Sequence, residues 1–264
     1  MFANKKSYAF DFDSNLVFTQ DTIFLLKNSW WSWNKVEISQ QEFDEIQIDN
    51  KNWRRLNDNP IDSLVNFRKP GNYKKALLDA LDNNMKWPAR WSFVEANESA
   101  SPIAIITARG QSPNELEISH KLLIYKFFST KERWSLVENM QKNLNVELDE
   151  KQAIELYLKN NLYLPVESQE FLDMSGTNLE MPTKIRKHVS LQIFVKHVQN
   201  LFSIYNWKEF IENPEFSMWF SDDNLQNSKS MVDFIKSNLS LKYPKVKFSV
   251  YDTNDFKNVK KIKI

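Results

Sequence analysis

Two acidic pairs carry the most chemistry in this chain. Asp11 and Asp13, in YAFDFDSN, close one apolar run, and Asp222 and Asp223, in MWFSDDNLQN, close another. Residues two apart on a strand point the same way, so Asp11 and Asp13 are expected to converge near the C-terminal end of the first strand. Carboxylates placed together repel, and a divalent cation is the simplest partner that offsets their burial at a sheet edge. A third apolar run, AIITARG, ends in the hydroxyl of Thr107. A single aspartate after a strand is most often a turn former or a helix cap. Strand ends bearing Asp-x-Asp, Thr and Asp-Asp in one chain describe something narrower, a magnesium site that handles phosphoryl groups.

Composition removes the competing chemistries. The chain has no cysteine, which excludes disulfides, thiolate metal sites and a cysteine nucleophile. Its glycines, Gly71, Gly110 and Gly176, are far apart, whereas a P-loop or dinucleotide-binding turn needs them clustered so that backbone amides approach phosphate. His120, His188 and His197 have no metal-ligand spacing and are read as structural or solvated. Lys and Arg number 35 against 34 Asp and Glu, so no global field recruits nucleic acid or an anionic membrane. The basic tail KNVKKIKI is expected to be a solvated terminus. Charge interrupts the N-terminal region before a signal peptide could form, and PIAIITA is among the longest apolar runs. A soluble, cytoplasmic protein without a membrane partner is expected.

Positioning these residues requires strands alternating with helices, which favours an α/β fold, a Rossmann-like parallel sheet with helices on both faces. Residues 6 to 12, PIAIITA, EFSMWFS and KVKFSVYD read as strands, with LYLPVES a weaker one because of Pro165. TIFLLKN and KVEIS read as hairpin arms enclosing SWWSWN, where Ser and Asn supply turn chemistry. YKKALLDALDNNMKW, 114 to 128, 133 to 143, 149 to 161, the segment from MPTKIRKHV onward and LQNSKSMVDFIKSNL have helical spacing. No repeat, low-complexity segment or linker divides the chain, so residues 1–264 are read as one domain.

With the motifs in this order, the sequence resembles the haloacid dehalogenase superfamily of phosphatases and phosphotransferases. YAFDFDSN is similar to the family's first motif, AIITARG to its second and FSDDN to its fourth, and together they span residues 8 to 227. Asn15 departs from the Thr or Val usual at its position. The resemblance implies that Asp11 is a nucleophile forming an aspartyl-phosphate and that Asp13 is the general acid and base. It implies that Thr107 bonds a phosphoryl oxygen and that a lysine offsets charge during transfer. Lys187 is preferred because it lies within about one turn of the helix start, with Lys184 the runner-up and Lys196 further along. Magnesium would be held by the Asp11 carboxylate, the Asp13 backbone carbonyl and the Asp222 carboxylate, with Asp223 and Asn227 orienting them.

Specificity in the family is set by cap insertions, here about 16–72, a hairpin with a small cap, and extra helices at about 130–161. Trp30, Trp31 and Trp33 either stack on a substrate ring or, the stronger expectation, pack the insertion onto its domain. Arg109 either contacts substrate phosphate or forms a salt bridge. The leading expectation is hydrolysis of a small phosphorylated metabolite. The alternatives are a phosphatase acting on nucleic-acid ends or another macromolecule, and a catalytically silent interaction module of the same fold.

Overall fold

A computed structural model describes residues 6–17, 22–39, 46, 49–56, 77–78, 88–204, 216–255 and 259–264. Strand β1 (Lys6–Asp11) lies between β5 (Ile103–Thr107) and β7 (Phe216–Asp222) in a six-stranded sheet of order β6-β5-β1-β7-β8-β9, in which β6 is Leu162–Pro165 and β8 is Val246–Asp252. The first five of these strands run parallel. The chain moves outward from β1 to β6, then returns to β7 beside β1 and continues to β8. The crevice at this reversal, outside the C-terminal strand ends, is where open α/β sheets take their ligands.

The central strands are apolar throughout because both faces are covered. Tyr8, Phe10, Ile103 and Ile105 join a core with Phe93 of α1 (Arg90–Glu98), Leu123 of α2 (Pro113–Phe127), Val137 of α3 (Thr130–Leu144) and Ile154 of α4 (Glu150–Lys159). The alternate residues Ala9, Ala104 and Ile106 join a second core with α6 (Thr183–Ile204) and α7 (Leu225–Phe234), through Leu191, Phe194, Met231 and Val232. Reciprocal capping boxes start three helices, Ser112 with Glu115, Ser129 with Glu132, and Asp149 with Gln152. Asp149, expected inside its helix, is therefore the cap. A short helix, α5 (Gln169–Ser175), follows β6 and closes on Gly176 in the left-handed region at φ 66°.

Several expectations change. Helices α3 and α4, anticipated as cap additions, bury Leu136, Met140 and Tyr157 in the first core, α3 packing on α1 and α4 on α2 and α3. The basic tail is not simply solvated: β9 (Lys260–Ile262) pairs antiparallel with β8 and lays Ile262 against the second core, leaving lysines on an edge strand. The helix after β7 passes into a π-helical turn at Ile235–Leu239 that periodicity does not reveal. The helix expected over residues 73–87 lies outside the described residues save for Leu77 and Leu78, which are helical.

The insertion after β1 holds a second sheet, β3-β2-β4, of β2 (Thr22–Ser29), β3 (Ser32–Ser39) and β4 (Trp53–Arg55). Its turn is tighter than the six residues anticipated. Pairing continues to Ser29 and Ser32, and Asn34 Nδ2 donates to Ser29 Oγ at 2.6 Å, closing the ladder from its flanks. Trp30 and Trp31 are thereby left at the tip, 95 % and 96 % exposed, instead of packing.

Candidate active site

Asp11 ends β1 and is buried. After it the chain makes a compact loop in which Ser14 takes φ 56°, Leu16 N–H donates to the Phe12 carbonyl, and Asp13 bridges to Val17. This loop separates two carboxylates expected to converge. Asp11 sits 2.9 Å from Lys187 Nζ, which lies 2.7 Å from Asp222 Oδ2 at the end of β7. The Asp13 carboxylate instead accepts a hydrogen bond from Thr107 Oγ1 at 3.0 Å and is gripped by Arg109, whose Nε lies 2.8 Å from both carboxylate oxygens. Asp11 thus belongs to the β7 side of the crevice and Asp13 to the β5 side.

Helix α6 puts the lysine in place. Lys187 lies one turn inside it and is buried, while Lys184 and Lys196 are exposed. The start of α6 is held by Arg186, whose guanidinium is buried against the Glu167 carboxylate and donates to the carbonyls of Met181 and Asn178, the latter at 3.0 Å. Thr183 Oγ1 donates to Glu167 at 2.8 Å. Sequence reasoning missed this support, because only the fold brings Glu167, after β6, to the first turn of α6.

Asn15 is the other missed element. Its buried Nδ2 donates to the Asp11 carbonyl at 3.0 Å and to Ser221 Oγ at 2.9 Å, and its Oδ1 accepts from Thr253 Oγ1 at 2.8 Å. One amide thereby ties together the ends of β1, β7 and β8, work for which a Thr or Val side chain lacks the donors.

Among the described residues, Asp11, Asp222 and Asp223 form one group in which a carboxylate oxygen from each lies within 4.8 Å of those of the other two. Asp223 was expected only to orient the ligands; its carboxylate stands in this trio, and that of Asp13 does not. Asn227 Nδ2 donates to Asp222 Oδ1 at 3.3 Å, alongside the Asn224 N–H at 2.9 Å, and with Lys187 on Oδ2 both oxygens of Asp222 are oriented.

Burial, with Asp222 and Asp13 adding repulsion and Lys187 opposing both, pushes Asp11 up to about 7. Burial acts against the Lys187 ammonium, but Asp11 and Asp222 outweigh it and hold its pKa above the ordinary lysine value. Three carboxylates around one ammonium leave negative charge over, which a proton or a hard cation can neutralise. The donors are all oxygens, so magnesium or calcium fits and a thiolate-seeking metal does not.

The histidines take no part. His120 is buried with Asn97 and Tyr163 as partners and is drawn down by burial to about 3, while His188 stacks on Phe234. Among the described residues no helix is long and apolar enough to cross a membrane. No family model matches the chain, and neither a curated protein nor a solved structure matches it.

Proposed function

We propose that the protein is a magnesium-dependent phosphomonoester hydrolase of the haloacid dehalogenase type. The observation that carries this reading is Lys187 held between Asp11 and Asp222, with Asp223 beside them. A nucleophilic carboxylate, an ammonium and a cation-binding acid from separate strand and helix ends then share one crevice. A magnesium ion held by Asp11 and Asp222, with Asp223 close by, would supply charge neutralisation for the phosphoryl oxygens.

The chain's own residues account for the rest. Asp11 attacks phosphorus, forming a carboxylate–phosphorus bond as the bond to the leaving oxygen breaks, and Asp13 gives that oxygen its proton. Water then attacks the aspartyl-phosphate, Asp13 takes the proton back, and inorganic phosphate leaves. Lys187 offsets the charge gathered on the transferred group. For Asp13 to reach the leaving oxygen its side chain must turn from Arg109 and Thr107, whose donors then meet phosphate oxygens. The insertion at about 16–72 acts as the cap in this reading.

The grip of Arg109 on Asp13 is also the observation that favours a catalytically silent module, and one experiment separates the two. Phosphate release from p-nitrophenyl phosphate is measured with magnesium or chelator, for the wild type and Asp11→Asn. Magnesium-dependent release abolished by the substitution is expected. Release that survives Asp11→Asn removes Asp11 as the nucleophile, and no release in either protein across a panel of phosphomonoesters leaves the silent module.

A further inference from the structure

The second sheet has one covered face and one open face. Leu25, Val36, Ile38 and Trp53 share the face closed over Ile46. On the opposite face lie Phe24, Leu26, Trp33, Lys35 and Arg54, with one carboxylate, Glu37, across from Phe24, as the register requires. There the cations lie over rings. The Arg54 guanidinium stands 4.2 Å from the centre of the Trp33 ring, and Lys35 Nζ stands 4.0 Å from that of Phe24. Trp30 and Trp31 extend this surface at the hairpin tip, both rings in solvent.

We infer that this open face and the tryptophan tip bind single-stranded nucleic acid. Bases stack on aromatic rings whatever their sequence, and lysine and arginine track the phosphates between them. Of the cations among the insertion's described residues, Lys35 and Arg54 lie on this face and Lys51 just before β4, while Lys27 and Arg55 lie on the covered face. These cations stand against two carboxylates, Glu37 and Asp49, and Asp49 is taken up by the N–H groups of Lys51, Asn52 and Trp53. The 40–48 link adds Glu42, Asp44 and Glu45, so the positive character is local to these strands.

The layout selects a polymer over a bilayer. The ring and cation pairs run from Phe24 to the tip, roughly 17 Å at about 3.3 Å per residue. A flexible strand can follow that length, whereas a bilayer plane meeting the tip cannot. The hairpin also leaves β1's loop within five residues, from Val17 to Thr22, so its root lies within roughly 18 Å of that loop. A strand lying on the sheet would have its phosphorylated end within reach of Asp11. This deepens the proposed hydrolase and rests on it only for what happens at that end.

The test is fluorescence anisotropy of a fluorescein-labelled twelve-nucleotide oligothymidylate with Asp11→Asn in EDTA, where nothing is turned over. Saturable binding is expected, weakened roughly 10- to 100-fold by the pair Trp30→Ala and Trp31→Ala and largely restored by Phe at both positions. With two or three phosphates neutralised, raising salt from about 50 to 200 mM should weaken binding roughly 7- to 20-fold. The double alanine variant should hydrolyse p-nitrophenyl phosphate like the wild type, because its changes lie at an exposed tip. Absent oligonucleotide binding, or binding indifferent to both tryptophans, overturns the inference. So does tryptophan-dependent binding to phosphatidylcholine vesicles containing phosphatidylserine in place of the oligonucleotide. Oligonucleotide binding without phosphatase activity would refute the hydrolase and leave the nucleic-acid surface standing.

Discussion

In the proposed metal site, Asp11 sets a competition between a proton and a divalent cation that can be measured without substrate. An aspartate in the unfolded chain titrates near 3.8, whereas burial beside Asp222 and Asp13 pushes Asp11 up to about 7. Between about pH 4 and 7 the folded protein therefore holds a proton that the unfolded chain has released. Stability must fall as pH rises through that window and level off above it. Three pH units at about 1.4 kcal/mol each set an upper bound of about 4 kcal/mol. At about 2–4 °C per kcal/mol in a chain of this size, the metal-free protein should melt several degrees lower at about pH 8 than at about pH 5.5 through this group alone.

Magnesium must displace the same proton, so its apparent affinity should fall roughly tenfold per pH unit below 7. Asp11→Asn removes the titrating group. In EDTA the variant should melt above the wild type at about pH 8, approach it at about pH 5.5, and lose most of the magnesium response. Differential scanning fluorimetry across that range, in EDTA or magnesium chloride, reads all three quantities. A variant no more stable than the wild type at about pH 8, or a magnesium response flat between about pH 6 and 8, would refute the reasoning about burial and the trio.

Lys187→Met removes the ammonium between two buried carboxylates; it should cost about 3–5 kcal/mol in urea unfolding, with partial recovery in magnesium, and lower phosphatase turnover roughly 100-fold or more. Lys184→Met, at an exposed position, should change neither quantity. Arg109→Ala takes the guanidinium away from the buried Asp13 and should also cost about 3–5 kcal/mol, and Arg109→Lys should not recover it, since an ammonium cannot grip both carboxylate oxygens from one plane; equal stability of the lysine variant and the wild type would contradict that geometry. Asn15→Ala leaves Thr253 and Ser221 without their partner and should cost about 1–3 kcal/mol, while Asn15→Thr should recover less than half of it.

The parallel sheet was legible because strands covered on both faces need continuous apolar runs, and IAIIT and the segment before Asp11 have no other use for them. The aspartates at the strand ends were legible by contrast, as charges where apolarity stops. How Asp11 and Asp13 part was not, since the two-residue strand spacing that made them converge ends at Asp11, where the backbone leaves extended geometry for the Ser14 turn. Arg109 could be read either as a phosphate contact or as an ion pair because its partner follows from loop conformation rather than spacing. Asn15 looked like a departure from a pattern because two of its three partners, Ser221 and Thr253, lie far along the chain, and Arg186 gave no signal because only the fold brings Glu167 to it. The tryptophans were misplaced for a local reason: Ser29 and Asn34 close the hairpin earlier than a loop of six residues would.

The reach of the Asn15 amide has a consequence for how the molecule assembles. Its bond to Thr253 spans 238 residues and its bond to Ser221 spans 206, so the crevice has no complete precursor in any shorter stretch of the chain. During synthesis β1 must wait, with Asp11 already made, until β7 and Thr253 have followed it. In the proposed metal site, a partly folded chain would therefore bind no cation, and cation binding there would report a finished fold rather than a local one.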